Sequence, residues 1–111
     1  MTAYIIGQIT ITDLDRYREY AKHTPRLIAE HGGRFLVRGG ERTTLEGPAD
    51  QRRVVEIEFA NRAAAEGFYK SAGYSAIRGI RQAASEGDLM IVDGFDPAAW
   101  QAAVDESRKH G

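Results

Sequence analysis

The sequence contains no cysteine among its 111 residues. Disulfide bonds, thiolate nucleophiles, iron–sulfur clusters and cysteine-based zinc sites are therefore excluded. The first residues, MTAYIIGQIT, lack the basic segment, long apolar stretch and cleavage site of a secretory signal. No apolar run approaches the roughly 20 residues that span a bilayer. These absences lead us to expect a protein of a reducing, bacterial cytoplasm.

The sequence also has little net charge, with 15 basic and 16 acidic residues and a formal charge of −1. Such a balance produces no field that attracts nucleic acid or an anionic membrane, and we expect neither as a partner. The glycine-rich stretch HGGRFLVRGGE does not change this expectation. A phosphate-binding loop continues into lysine and a hydroxyl residue, whereas Glu41 follows the glycines here. An RNA-reading strand interleaves several aromatic residues, whereas this stretch holds only Phe35.

Alternating apolar and polar residues predict four strands, and apolar residues at helical spacing predict the helices between them. The strands are AYIIGQITI, RFLVRGG, RRVVEIEF and DLMIVDGF. The order βαββαβ is typical of a ferredoxin-like α+β fold, in which a four-stranded antiparallel sheet carries helices on one face. We expect residues 1–96 to form this domain. Residues 97–111 would add a C-terminal helix that packs on the domain through Trp100 or swaps across a dimer.

Local features predict where the helices begin and end. Thr12, with Asp15 three residues on, predicts a capping box at the first helix. Pro25 is expected to bend or interrupt that helix because it donates no backbone hydrogen bond. Gly73 is predicted to break the second helical segment, and Gly39-Gly40 permits a bulge or tight bend after the second strand.

The two faces of the predicted sheet are both partly apolar. Ile6 opposes Ile5 on the first strand, and Met90 and Val92 oppose Leu89 on the fourth. Helices in this layout cover only one face, so the other face needs a second cover. We therefore expect a homodimer whose sheets face each other.

Most of the chain resembles the bacterial family called domain of unknown function 1330. The resemblance runs from about Tyr4 to Phe95, and its most specific pieces are GGRFLVRGG, EFANRAAAEGFYKSAGY and IRQAA. It implies a ferredoxin-like fold that pairs into a dimeric α/β barrel. The superfamily with this fold includes heme-handling enzymes, cofactor-free monooxygenases, muconolactone-type isomerases and ligand-binding modules. The family itself has no agreed activity, so the resemblance leaves the chemistry open.

A cleft between sheet and helices is the expected binding site. The residues predicted to bind a ligand there are Gln8, Arg38, Tyr69 and Tyr74. His31 and Glu58 are candidate acid–base residues. The structural alternative for Arg38 and Glu58, which lie on adjacent antiparallel strands, is a cross-strand ion pair that fixes the register. The tyrosines, likewise, are typical of a half-buried core with a hydrated hydroxyl.

The three histidines lack the spacing of a metal site, and we expect neither a metal nor a cofactor. Two functions stay open at this point. The first is a homodimer that binds a small anionic or aromatic organic molecule and is enzyme-like. The alternative is a non-catalytic dimerisation or interaction module without a ligand. The sequence predicts no substrate, reaction or pathway.

Overall fold

The computed structural model describes residues 1–111 and contains four strands and five helices. The strands are β1 (Ala3–Ile11), β2 (Arg34–Arg38), β3 (Arg53–Phe59) and β4 (Ser85–Asp93). The helices are α1 (Leu14–Ala21), α2 (Thr24–Glu30), α3 (Arg62–Lys70), α4 (Ala72–Ala84) and α5 (Pro97–Arg108). None of the five is both long and apolar enough to cross a membrane.

The strands form one sheet in the order β2-β3-β1-β4, and every neighbouring pair is antiparallel. This is the order of a ferredoxin-like fold, and the predicted α+β class is confirmed. Strict alternation along β1 buries Ala3, Ile5 and Ile9 against the helices, a side that we call the covered face. The opposite side, the open face, carries Ile6, Met90 and Val92 without any element over it.

The core lies between the covered face and helices α1 to α4. It is dominated by aromatic side chains, with Phe68 between Phe59 and Tyr74 at ring-centroid distances of 5.4 and 4.7 Å. Tilted aromatic pairs at such distances stabilise a core beyond their buried area. The aromatic cluster therefore fixes α3 and α4 on the sheet.

Helix ends follow the predicted chemistry with two corrections. The first helix is capped by Asp13, whose carboxylate accepts from the Arg16 amide, and not by Thr12. The interruption expected at Pro25 is present, since α1 ends at Ala21 and Pro25 lies in the first turn of α2. The second break falls at Ser71, which caps both α3 and α4, and not at Gly73. Gly73 instead lies against Leu27, where a Cβ atom would collide with the leucine side chain.

The C-terminal helix α5 stands apart from the rest of the chain. It has no buried residue, and Trp100 and the preceding Phe95 are 61% and 66% exposed. The radius of gyration is 16.6 Å, whereas a compact chain of this length has about 13 Å. The predicted packing of Trp100 on its own domain is therefore wrong. The division of the chain at residue 96 stays a prediction.

Candidate functional site

A cavity lies between the covered face of the sheet and helices α1 to α4. Its empty volume is about 530 Å³ when the open mouth is included. The centre of a water molecule can occupy only about 40 Å³ of this volume. The cavity is therefore open but narrow. Apolar and aromatic side chains make up most of the wall, and the groups that carry its chemistry are Tyr17, Tyr20, Arg38, Arg53, Tyr69 and Tyr74.

A β-bulge directs Arg38 into this cavity. In the β2–β3 register Arg34 lies opposite Glu58 and Phe35 opposite Ile57, but Arg38 lies opposite Val55. One extra residue in β2 shifts the alternation, so that Phe35 and Arg38 both face the helices. The Arg38 guanidinium lies 4.7 Å from the Phe35 ring centroid, and its Nη2 donates to the Ala21 carbonyl at 2.9 Å.

The bulge also overturns the predicted ion pair. Glu58 lies on the open face and accepts from Arg34 Nε at 3.2 Å, not from Arg38. The expected cross-strand pair therefore exists with the other arginine of the strand. The tight bend predicted at Gly39-Gly40 is present at Gly39, whose φ is +65°, whereas the β-bulge lies inside the strand, between Phe35 and Val37.

Arg53 is a cavity residue that we did not predict, although the alternation of β3 places it on the same side as Val55 and Ile57. Its guanidinium lies 5.8 Å from the ring centroid of Tyr17, and its buried Nε has no acceptor. It passes directly over Gly39, whose φ of +65° and missing Cβ leave room for the guanidinium. Any side chain at position 39 would collide with Arg53. Like Gly73, Gly39 therefore allows a neighbouring side chain to approach the backbone closely.

Buried tyrosines form a hydrogen-bonded group beside these arginines. The hydroxyls of Tyr20 and Tyr74 lie 2.8 Å apart, and Arg81 Nε donates to the Tyr74 hydroxyl at 3.3 Å. Burial, with Tyr74 adding to the effect, raises the pKa of Tyr20 well above its usual value. Burial also raises the pKa of Tyr17, although Arg53 opposes this shift. Both phenols therefore keep their protons at neutral pH.

The charge in and beside the cavity is of one sign. Arg38, Arg53 and Arg81 have no carboxylate within 4.0 Å, and no acidic residue lines the cavity. Arg52 on the surface differs, because it forms a direct ion pair with Asp50 that holds the pKa of that carboxyl at about 2. The cavity therefore offers cationic and neutral donors to whatever occupies it.

The structure brings together three of the six predicted site residues. Arg38, Tyr69 and Tyr74 line the cavity, with Arg78 stacked 4.9 Å from the Tyr69 ring centroid. Gln8 and Glu58 lie on the open face instead. Strict alternation in β1 and β3, which was known from the sequence, could have separated these two from the cavity.

His31 also lies outside the cavity. It ends α2, where its Nδ1 lies 3.0 Å from the Leu27 carbonyl and its ring meets the edge of Phe68. These contacts place His31 at the C-terminal end of α2 and away from the cavity lining. The structure contains no group of three or more histidine or acidic residues placed to hold a metal ion.

The fold and the cavity define a ferredoxin-like α+β protein with an arginine- and tyrosine-lined cleft between sheet and helices. The sequence matches the family described as Domain of unknown function (DUF1330) over residues 2–95. The chain therefore belongs to this family. No curated protein matches it in sequence.

Solved structures of low identity share the fold. RPA0582 of Rhodopseudomonas palustris, a protein of unknown function, is 17% identical with a TM-score of 0.71, over 86% of this chain and 84% of that one. A dimeric ferredoxin-like protein of Jannaschia sp. CCS1 is 16% identical, with a TM-score of 0.63 over 86% and 100%. SnoaB of Streptomyces nogalater, a cofactor-independent oxygenase, is 13% identical, with a TM-score of 0.59 over 86% and 94%.

Proposed function

We propose that this protein is a homodimer that binds a small organic anion in the cavity of Arg38 and Arg53. The observation that carries the proposal is the lack of any carboxylate partner for these two arginines in a cavity without acidic residues. Arg53 carries this argument, because its Nε is buried without an acceptor and a cation in a poorly hydrated site is unfavourable unless it is paired or hydrogen-bonded. Arg38 is more exposed and donates to the Ala21 carbonyl. An anionic ligand supplies the missing partner, and guanidinium groups bind carboxylates with two parallel hydrogen bonds.

The walls of the cavity restrict the shape of this anion. Rings of Tyr17, Tyr20, Phe35, Phe68 and Tyr69 surround the arginines. Such walls favour a flat, apolar body that stacks against them. The small volume open to water centres favours a ligand about the size of one ring. A small aromatic or cyclic carboxylate fits both restrictions.

The open face supports the homodimer part of the proposal. Met90 is 57% exposed, and Val92 exposes about two fifths of its surface, both on β4 beside Ile6 of β1. A contiguous apolar patch on a sheet is a common sign of an interface. The dimeric structural neighbour from Jannaschia sp. CCS1 has the same fold, and face-to-face pairing of sheets would cover this patch in both copies.

Binding, and not acid–base catalysis, is the function that the cavity favours. The lining contains no histidine and no carboxylate to act as a general base. The likeness to an oxygenase, at 13% identity, concerns the fold. The alternative function, an interaction module without a ligand, draws its support from the same apolar open face and from the narrowness of the cavity.

Calorimetry with benzoate and its neutral isostere benzamide tests the proposal. We expect benzoate to bind more tightly, and Arg53→Gln or Arg38→Gln to lower its affinity about tenfold or more without affecting benzamide. Arg26→Gln is the matched control, because Arg26 is exposed on α2 and paired with Glu30. Equal binding of both probes would contradict the charge argument. No binding of either, together with a dimer that carries no extra mass as purified, would favour the interaction module.

A further inference from the structure

The hydrogen bond between the hydroxyls of Tyr20 and Tyr74 leaves one phenolic proton of the pair without an acceptor. A phenolic hydroxyl has one proton and two acceptor lone pairs, and the bond between the two hydroxyls uses only one proton. Neither hydroxyl has a further acceptor in the protein. Whichever tyrosine donates to the other, one phenolic proton in the pair is left without a protein acceptor. Both side chains line the cavity.

Arg81 reinforces the donor character of this pair. Its Nε donates to the Tyr74 oxygen, and the residue is 9% exposed without a carboxylate near it. A positive group behind the phenol makes that phenol a better donor and a poorer acceptor. The raised pKa of Tyr20, which results mainly from burial, keeps its proton in place. The pair therefore requires an acceptor, and a cation or a purely apolar group does not meet that need.

Neighbouring rings connect Arg53 with the hydroxyl pair. Arg53 lies over Tyr17, the Tyr17 ring lies 5.4 Å from Tyr20, and the Tyr20 ring lies 6.0 Å from Tyr74. A ligand whose anionic group met Arg53 would have its body beside Tyr17 and Tyr20, and a second polar atom on that body would face the hydroxyl pair.

We propose that the Tyr20–Tyr74 pair donates a hydrogen bond to a second oxygen of the ligand. The ligand class is then a flat organic acid with a carboxylate at one end and a carbonyl-type acceptor elsewhere on the ring. This inference rests on the proposed function, because it presumes that the anion binds at the arginines. It adds a specificity that charge alone does not create, since an unmet donor in a buried site disfavours ligands without an acceptor.

Two matched pairs of probes test this inference. The first members are 3- and 4-acetylbenzoate. The second members are 3- and 4-isopropenylbenzoate, in which a CH2 group replaces the carbonyl oxygen and the substituent keeps its trigonal carbon. We expect the protein to bind at least one acetylbenzoate about fivefold or more tightly than its isostere. The preference should vanish in the double variant Tyr20→Phe/Tyr74→Phe, which removes both hydroxyls and keeps both rings. Tyr4→Phe is the control, since its hydroxyl lies on the open face beside Thr2.

The outcomes separate this inference from the proposed function. If the acetyl and isopropenyl members of both pairs bind equally to the unmodified protein, the hydroxyl pair does not select an acceptor and the inference is overturned while the anion site stands. A preference that survives in the double variant overturns it as well. If none of the four probes binds, both proposals fail. The comparison within the unmodified protein decides the question even if the double variant does not fold.

Discussion

Three paired arginines on the surface and the three arginines at the cavity differ in their partners. Arg34 pairs with Glu58, Arg52 with Asp50 and Arg62 with Asp93, all at 2.9 to 3.2 Å. Arg38, Arg53 and Arg81 have no acid within 4.0 Å, and the Nε of Arg53 is buried without an acceptor, which makes that charge more costly. Folding alone explains the surface pairs. It does not explain why the buried Nε of Arg53 lacks an acceptor, and the proposed anion site rests on this contrast.

Removing an aromatic ring from the covered face should have the largest effect. Phe59 is 1% exposed and packs on Phe68, so Phe59→Ala should lower the free energy of unfolding by about 3–5 kcal/mol. Urea unfolding measures this loss. Leu45→Ala, at a loop position that is 90% exposed, should change stability by less than about 0.5 kcal/mol. Similar losses for the two variants would mean that the covered face does not contain the core.

A charge on the open face tests the proposed assembly. Met90→Glu should weaken the dimer about 100-fold while the monomer stays folded, because the partner sheet would bury an unpaired carboxylate. Native mass spectrometry would then detect the 12.3 kDa monomer in place of the dimer. Ala63→Glu, on the exposed side of α3, adds the same charge away from the sheet. A wild-type protein that is already monomeric at micromolar concentration contradicts the homodimer.

High pH should destabilise the protein through Tyr20. The folded protein holds this proton above the unfolded pKa of about 10, so stability is intact below pH 10 and is lost as the pH rises further. Each pH unit above 10 should cost up to about 1.4 kcal/mol from this residue. Urea titrations at pH 9, 10 and 11 should give a shallower decline for Tyr20→Phe. The same decline in both proteins would show that Tyr20 ionises freely.

Removing an unpaired charge from the cavity should raise the free energy of unfolding, whereas removing a group that has a partner lowers it. Arg53→Met keeps the aliphatic stem but deletes a guanidinium whose Nε has no acceptor, so stability should rise by about 1 kcal/mol in the absence of ligand. Thermal unfolding without ligand measures the change. A clear loss of stability would assign Arg53 a structural role and weaken the binding proposal.

The surface pair gives the smallest expected effect. Arg34 is largely exposed, and Arg34→Gln should change the free energy of unfolding by no more than about 0.5 kcal/mol. High salt should reduce even that difference, because screening weakens exposed pairs. A change above 1 kcal/mol would mean that the Arg34–Glu58 contact fixes the β2–β3 register more strongly than its exposure suggests.

Regular features of the chain were predictable from its sequence. Period-two alternation in β1 and β3 depends on local spacing, and the structure has it as expected. The family and the ferredoxin-like class followed from the motifs and the element order. Tyr69 and Tyr74 were predicted to bind a ligand in the cleft between sheet and helices, and both line the cavity.

The rest depended on contacts between distant residues. The alternation in β3 places Arg53 on the side of Val55 and Ile57, but its contact with Tyr17 joins residues far apart in the chain. The hydroxyl contact joins Tyr20 on α1 to Tyr74 on α4, 54 residues apart. His31 looked available because the Phe68 ring only becomes its neighbour in the folded chain.

The irregularity in β2 has a consequence for how this family can change. Arg34 and Arg38 are four residues apart, so an unbroken strand would turn both toward the same side of the sheet. The additional residue between Phe35 and Val37 instead places Arg34 on the open face and Arg38 on the cavity side. Removing that residue would leave a regular strand in which Arg38 still lies opposite Val55. The bulge therefore absorbs one residue of added strand length without reversing the side chains that follow it.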